Sequence, residues 1–68
     1  MNTTITETIR RSYGTEYRLD VTHGNRTRKV YVAIDNDGST HTAVWGNGNT
    51  PLKGHNNYRQ AALDAINN

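Results

Sequence analysis

Six arginines and two lysines are the side chains of this 68-residue chain with the clearest capacity for recognition chemistry. A guanidinium group donates paired hydrogen bonds to phosphates, guanine bases and carboxylates, and Tyr and Trp rings stack on bases or anchor protein interfaces. The candidate binding residues, cationic and aromatic together, are Arg10, Arg11, Arg18, Arg26, Arg28, Lys29, Tyr31 and Trp45. Such a set predicts a binding surface for nucleic acid or for a partner protein.

Catalytic and metal-binding side chains lack the spacing that their chemistry requires. His23, His41 and His55 lie 18 and 14 residues apart, whereas metal-binding histidines usually come in closer pairs. Ser12 and Ser39 are the only serines, and neither belongs to a nucleophile elbow. The carboxylates are scattered, and no phosphate-binding loop is present. We therefore expect no enzymatic activity, no metal site and no cofactor.

Length and composition indicate a single domain, residues 1–68, with a thin core. Only 32% of the residues are hydrophobic and 7% are aromatic, and a domain of this size buries only about 60% of its unfolded surface. No cysteine is available for a disulfide, so a partner subunit, as in a homodimer, is a reasonable expectation. The net charge of +2 is modest. The chain has no signal segment and no membrane-length apolar run, which predicts a soluble, cytoplasmic protein.

Residues 29–34 form the predicted central strand, around which the other elements can be placed. Val30, Val32 and Ile34 alternate with mixed residues, and the Asp/Asn/Gly sequence at residues 35–38 predicts a turn. Residues 16–22 alternate in the same way, and residues 23–25 have the composition of a hairpin connection. Residues 40–45 predict a further strand. Its inward side chains are either Thr42 and Val44 or His41, Ala43 and Trp45. We favour Val44 inward, which leaves Trp45 near a strand end or on the open face.

The two ends of the chain and the loop between residues 46 and 56 carry weaker or different patterns. Residues 3–12 fit a strand or a helix, since Thr4 and Glu7 form a possible capping box; their four threonines favour a strand at a sheet edge. Ile5 and Ile9 would then share one face. Residues 57–67 predict a helix capped by Asn57. Its apolar stripe consists of Tyr58, Ala61, Ala62, Ala65 and Ile66, flanked by Leu63.

These elements together predict an α+β fold, a small antiparallel sheet of three to four strands with one C-terminal helix packed on one face. The helix would cover Tyr17, Leu19, Val21, Val30, Val32 and Ile34. The open face would carry Arg18, Asp20, Lys29, Tyr31 and Trp45. Arg26 and Arg28 would lie at its rim, and Arg10 and Arg11 would add to it from the first strand.

The stretch from Tyr17 to Asn67 resembles the plant ethylene-response-factor type of DNA-binding domain and its small-sheet relatives in phage integrases and homing endonucleases. The resemblance consists of the strand at residues 30–34, the Asp/Gly turn, a strand ending in Val44, Trp45 and Gly46, and the helix at residues 59–66. It implies a sheet laid in the DNA major groove, and the implied contacts are Arg18, Arg26, Arg28, Lys29 and Trp45. The chain departs from the family in its long loop after Trp45, its fewer strand arginines, and Asp20, which would face phosphate.

DNA binding through the open sheet face is the leading functional prediction. The alternative is a protein-binding module, such as a small phage- or plasmid-type inhibitor of a host protein, because Arg, Tyr and Trp are also the commonest interface anchors. A plain solvated face stays open as well. A third hypothesis is self-association, with the first strand paired or exchanged between subunits. The clustered Arg26, Arg28 and Lys29 favour DNA, whereas the modest net charge favours a protein partner.

Overall fold

The computed structural model describes residues 1–46 and 50–68 as one antiparallel sheet and one helix. The strands are β1 (Asn2–Arg11), β2 (Gly14–His23), β3 (Arg26–Asp35), β4 (Thr40–Trp45) and β5 (Pro51–Leu52), and the helix is α1 (Asn56–Asn67). The strands lie side by side in chain order. The α+β class is therefore confirmed, but the sheet has five strands rather than three to four. No helix in the described parts of the chain is long and apolar enough to cross a membrane.

The core lies between α1 and one face of the three central strands. Five aliphatic side chains of β2, β3 and β4 are fully buried: Leu19, Val21, Val30, Val32 and Val44. Tyr58 and Ala62 of α1 cover them. Val30 lies between Leu19 on β2 and Val44 on β4, so period-two alternation brings these aliphatic residues to one face. The predicted apolar faces and the inward Val44 are confirmed.

Strand β1 forms one edge of the sheet, as the threonine-rich pattern predicted. Its pairing with β2 changes register between Ile5 and Glu7, where Thr6 forms a bulge. Ile5 pairs with Leu19 on the helix-covered side, whereas Ile9 pairs with Glu16 on the open side. The expectation that Ile5 and Ile9 share a face is therefore wrong, because one extra residue inverts the alternation beyond it.

The helix begins differently from the sequence prediction. It starts at Asn56 after His55, which adopts a left-handed conformation with φ of 56° and gives no side-chain cap. Asn57 lies inside the first turn, where its Oδ1 accepts a hydrogen bond from the Tyr58 N–H at 3.0 Å. The predicted Asn57 cap is therefore wrong by two positions, and the helix starts one residue earlier than predicted. The predicted loop of residues 46–56 contains β5, and its residues 47–49 lie outside the described structure.

Arg59 joins the helix to β4, to β5 and to the turn before the helix. Its Nε donates to the Gly54 carbonyl at 2.7 Å, and Nη2 donates to the Leu52 carbonyl at 3.0 Å. Nη1 donates to the Thr42 carbonyl at 2.7 Å and to Thr42 Oγ1 at 2.9 Å. Only the planar, multi-donor guanidinium group can make these bonds at once, so Arg59 fixes the position of a two-residue edge strand that has little packing of its own.

Replacing Arg59 should therefore destabilise the fold as a whole. We expect Arg59→Ala to lower the free energy of unfolding by about 2–3 kcal/mol, because it removes charge-assisted hydrogen bonds and leaves carbonyls without their donor. Arg59→Lys should restore only a part of this loss. Urea denaturation measures both variants, with Lys53→Ala as the exposed cationic control of the same region. Equal stability of Arg59→Ala and wild type would contradict this role.

Gly14 lies where the neighbouring backbone leaves no room for a side chain. A Cβ atom built there would lie 2.2 Å from the Ile34 carbonyl oxygen and 2.7 Å from Asp35 Cα. Gly14→Ala should cost more than about 2 kcal/mol of unfolding free energy, because β2 and β3 would have to separate. Gly24→Ala is the matched control: its φ of 65° is strained for alanine, but no atom of the described residues lies within 4 Å of the added Cβ. We expect that control to lose about 1 kcal/mol in the same denaturation assay.

Candidate binding surface

The candidate binding surface, here called the open face, is the side of the sheet that α1 does not cover. The register places alternate residues of each strand on it. Its charged and aromatic members are Glu7, Arg11, Glu16, Arg18, Asp20, Lys29, Tyr31, Asp35, His41 and Trp45. Small and polar residues such as Thr27, Ala33 and Ala43 separate them.

Five of the predicted binding residues come together on this face: Arg11, Arg18, Lys29, Tyr31 and Trp45. The other three do not. Arg10 pairs with Thr15, Arg26 with His23 and Arg28 with Val21, all on the helix-covered side. The expectation that Arg26 and Arg28 lie at the rim of the open face is wrong, because these even-numbered β3 residues share the side of Val30. Likewise, the neighbours Arg10 and Arg11 point to opposite sides of β1.

Arg28 has a different environment from the exposed arginines. It is half-buried, and its Nε has no hydrogen-bond partner among the described residues. A Cβ atom on Gly46 would lie 3.2 Å from Arg28 Nη1. Arg28 therefore packs closely against the backbone at the end of β4. It does not form a shared basic patch with Lys29.

A groove of about 450 Å³ crosses β2, β3 and β4 on the open face. Its lining residues are Arg18, Leu19, Asp20, Lys29, Val30, Tyr31 and Trp45. Tyr31 is opposite Ala43, and Trp45 is opposite Lys29, so the two half-buried rings lie in adjacent rows with a small residue beside them. The groove thus offers aromatic surface between side chains of both charges, which suits an apolar group with polar neighbours.

Each cation of the open face lies beside a carboxylate of the neighbouring strand. Arg18 Nε is 3.2 Å from Glu7 Oε1, and Lys29 Nζ is 3.4 Å from Asp20 Oδ1. Arg11 Nε is 3.5 Å from Glu16 Oε1. His41 and Asp35 form a similar pair at 3.5 Å, which is ionic only when His41 is protonated. The face therefore carries three Lys or Arg cations against four carboxylates, while the whole chain has a net charge of +2.

Glu16 is the best-shielded charged group of this surface, with 9% of its area exposed. The Tyr13 hydroxyl donates to Glu16 Oε2, and Arg11 approaches the other oxygen. The Tyr13 hydrogen bond, assisted by Tyr31 and Arg11, holds the pKa of Glu16 below its usual value despite opposing desolvation. The bond to Glu16 also raises the pKa of Tyr13, and desolvation followed by the bond to Glu16 raises the pKa of Tyr31. Both phenols thus stay protonated donors over a wide pH range.

This cluster is the part of the surface that sequence reasoning missed. Glu16 reads as one of several scattered carboxylates and Tyr13 as part of a turn. The register offers one signal, because alternation already places Glu16 and Tyr31 on the same face of adjacent strands. The contact of Tyr13 depends on the tight β1–β2 turn, whose geometry has no simple sequence pattern.

Comparison with known proteins adds no relative: no family model, no curated protein and no solved structure matches this chain. Within residues 1–46 and 50–68, no group of three or more His, Cys, Asp or Glu side chains is placed to hold a metal ion.

The Glu16 cluster predicts a specific pH dependence of stability. The folded pKa of Glu16 lies below the ordinary glutamate value of 4.5, so its contribution to stability is complete above the unfolded pKa and is lost as pH falls through the folded pKa. The raised pKa values of Tyr13 and Tyr31 affect stability at high pH. The contributions of these two phenols to stability are complete below about pH 10 and are lost as pH rises through their pKa values in the folded state.

Glu16→Gln should therefore unfold at a lower temperature than wild type at pH 7, and the difference should shrink when pH falls below 4.5. Thermal unfolding by circular dichroism across this range measures the effect. Asp37 also has a lowered pKa, because the Ser39 N–H donates to its carboxylate, so only the wild-type-minus-variant difference isolates Glu16. Asp64→Asn on the exposed side of α1 is the control. A difference that does not change with pH would show that Glu16 gains nothing from its partners.

Proposed function

We propose that this chain is a non-enzymatic binding domain that docks on a partner protein through the open face of its sheet. The observation that carries the proposal is the groove lined by Tyr31 and Trp45, whose charged neighbours are already paired with opposite charges. Tyr, Trp and Arg at the centre of a contact surface are the residue types that supply most of the affinity of protein interfaces.

The charge distribution favours a protein over DNA as the occupant of this face. A duplex laid across the sheet would bring a row of phosphates towards Glu7, Glu16, Asp20 and Asp35 as well as towards the three cations. Exposed ion pairs are weak, so Arg18 and Lys29 could exchange partners, but the released carboxylates would remain beside the phosphates and repel them. DNA-binding surfaces are instead much more positively charged than protein–protein interfaces.

The groove also indicates the chemistry of the partner. Its aromatic surface comes from Tyr31 and Trp45. Leu19 and Val30 border it only with their backbone, because their side chains are buried on the helix-covered face. Its edges carry Arg18 on one side and the ion pair of Asp20 and Lys29 on the other. The matching surface is an apolar side chain that fills the groove, flanked by hydrogen-bonding groups of both signs. Such a surface belongs to a folded protein, and it agrees with an inhibitor-like module that occupies a host protein.

DNA binding keeps one supporting observation, the excess positive charge of the rest of the molecule. Outside the open face, five basic residues stand against two carboxylates, Asp37 and Asp64. These basic residues are Arg10, Arg26, Arg28, Lys53 and Arg59. Arg59 is committed to internal hydrogen bonds and Arg28 is half-buried, so few exposed cations remain for a duplex.

Substitution at the groove tests the proposal directly. A protein captured by the immobilised wild-type chain should be purified and titrated by calorimetry against wild type, Trp45→Ala and Lys29→Ala. We expect Trp45→Ala to weaken binding by roughly 30-fold, the effect of losing a central anchor. Lys29→Ala should weaken it by less than about fivefold, because its ion pair is exposed. Arg26→Ala, an exposed cation on the other side of the sheet, should leave the affinity unchanged. Circular dichroism must show that each variant is folded.

A fluorescence-anisotropy titration against a labelled random-sequence duplex decides between the two functions. Each phosphate contact contributes about −0.9 to the slope of log K against log salt. We expect a slope worth fewer than about three contacts between 50 and 200 mM salt. A steeper slope that Arg18→Ala and Lys29→Ala flatten would overturn the protein-partner proposal. A captured protein that binds Trp45→Ala as tightly as wild type would overturn it too.

A further inference from the structure

We infer that two copies of this chain associate through strand β1, which pairs antiparallel with its own copy around a two-fold axis at Ile9. The two sheets would then join into one sheet of ten strands. The inference does not depend on the proposed function, because β1 lies at the edge of the sheet, away from the groove.

The two edges of the sheet differ strongly. The β5 edge is two residues long, and short edge strands are a common protection against unwanted pairing. The β1 edge is ten residues long and its outer side has no neighbouring strand in the described structure. The large hydrophobic residues that remain exposed in the described chain are Met1, Ile5 and Tyr13: Met1 directly precedes β1, Ile5 lies on it, and Tyr13 lies in the turn after it. Apolar surface is therefore concentrated at the long, unpaired edge.

The bulge at Thr6 determines which part of β1 can pair with a second copy. Bulges bend a strand and interrupt its ladder, so regular pairing runs over residues 2–5 or residues 7–11. Residues 7–11 form the longer regular run, and their open-face side chains are Glu7, Ile9 and Arg11. Within this run, the pleat allows only registers that place open-face residues opposite open-face residues.

Charge complementarity selects one of these registers. With the axis at Ile9, Glu7 of each copy faces Arg11 of the other, Thr8 faces Arg10, and Ile9 faces its own copy. Opposite charges in directly facing positions stabilise a sheet, whereas facing like charges destabilise it. An axis at Glu7 would put two carboxylates in contact, and an axis at Thr8 would put Glu7 opposite Ile9. The sequence of β1 is therefore self-complementary around Ile9.

The ion pairs within each copy extend this complementarity. Glu7 already contacts Arg18, and Arg11 already contacts Glu16. Across the junction, the open face would then carry Arg18 and Glu7 of one copy followed by Arg11 and Glu16 of the other. The signs of the charges alternate along this row, so Glu7 and Arg11 both keep the partners that they have within their own copies. The symmetry repeats the row on the other side of Ile9.

Analytical ultracentrifugation from about 10 µM to about 1 mM tests the association, since a junction of five residues per copy is a small interface. We expect the average mass to rise from 7.6 kDa towards twice that value. Ile9→Lys places two cations on the axis and should weaken association at least about tenfold. Thr4→Lys, on β1 outside the paired run, is the matched control and should associate like wild type. A constant mass of 7.6 kDa at every concentration would overturn the inference.

Cysteine cross-linking tests the register, and it stays informative if Ile9→Lys fails to fold. The chain has no cysteine, so a single introduced thiol can form a disulfide only between copies. Facing residues of an antiparallel pair have Cβ atoms about 4.5–5.5 Å apart, which is close to disulfide geometry. We expect Ile9→Cys to give a disulfide-linked dimer on mild oxidation, and Ile5→Cys to give little. Thr6→Cys should also give little. Preferential cross-linking of Ile5→Cys or Thr6→Cys, or equal cross-linking of all three variants, would overturn the axis at Ile9.

Discussion

The constraint on which the rest of this structure depends is the small number of apolar residues, which suffices to cover only one face of the sheet. Five aliphatic side chains and two helix residues make up the buried core. A twelve-residue helix with alanines on its inner side can approach the sheet closely and seal that face. Nothing comparable remains for the second face, so that face must be stable in water through its own polar contacts. Its ion pairs and the Glu16 cluster follow from this requirement.

The same requirement explains why basic residues in the sequence do not translate into a basic surface. Alternation puts cation and carboxylate on neighbouring strands at the same level, as with Arg18 beside Glu7 and Lys29 beside Asp20. Each exposed pair contributes little to stability, but together they cancel the local charge. The aromatic groove is then the distinctive feature of the face. A count of arginines favours DNA, whereas the position of their partners favours a protein.

Strands with strict period-two alternation could be placed from the sequence, and features that depend on a single irregular residue could not. Uninterrupted alternation of their neighbours predicts Leu19, Val30 and Val44 on the covered face, where the register places them. Thr6 cannot be recognised as a bulge, since threonine fits a regular strand equally well, and the bulge moves Ile9 to the face opposite to that of Ile5. Asn57 has the right chemistry for a cap, but the N-cap position is occupied by His55, two residues earlier. Arg59 resembles any polar helix residue until the carbonyl groups around it are known.

The inferred pairing through β1 would change how the open face meets a partner. A two-fold axis perpendicular to a continuous sheet keeps both helices on one side and both grooves on the other. The domain would then present two copies of the groove lined by Tyr31 and Trp45 on a single surface. A partner with two matching sites would bind both grooves at an effective concentration set by their fixed separation, which raises affinity without any new contact. A module with so small a contact surface gains most from such an arrangement, because a single groove limits the area that one copy can bury.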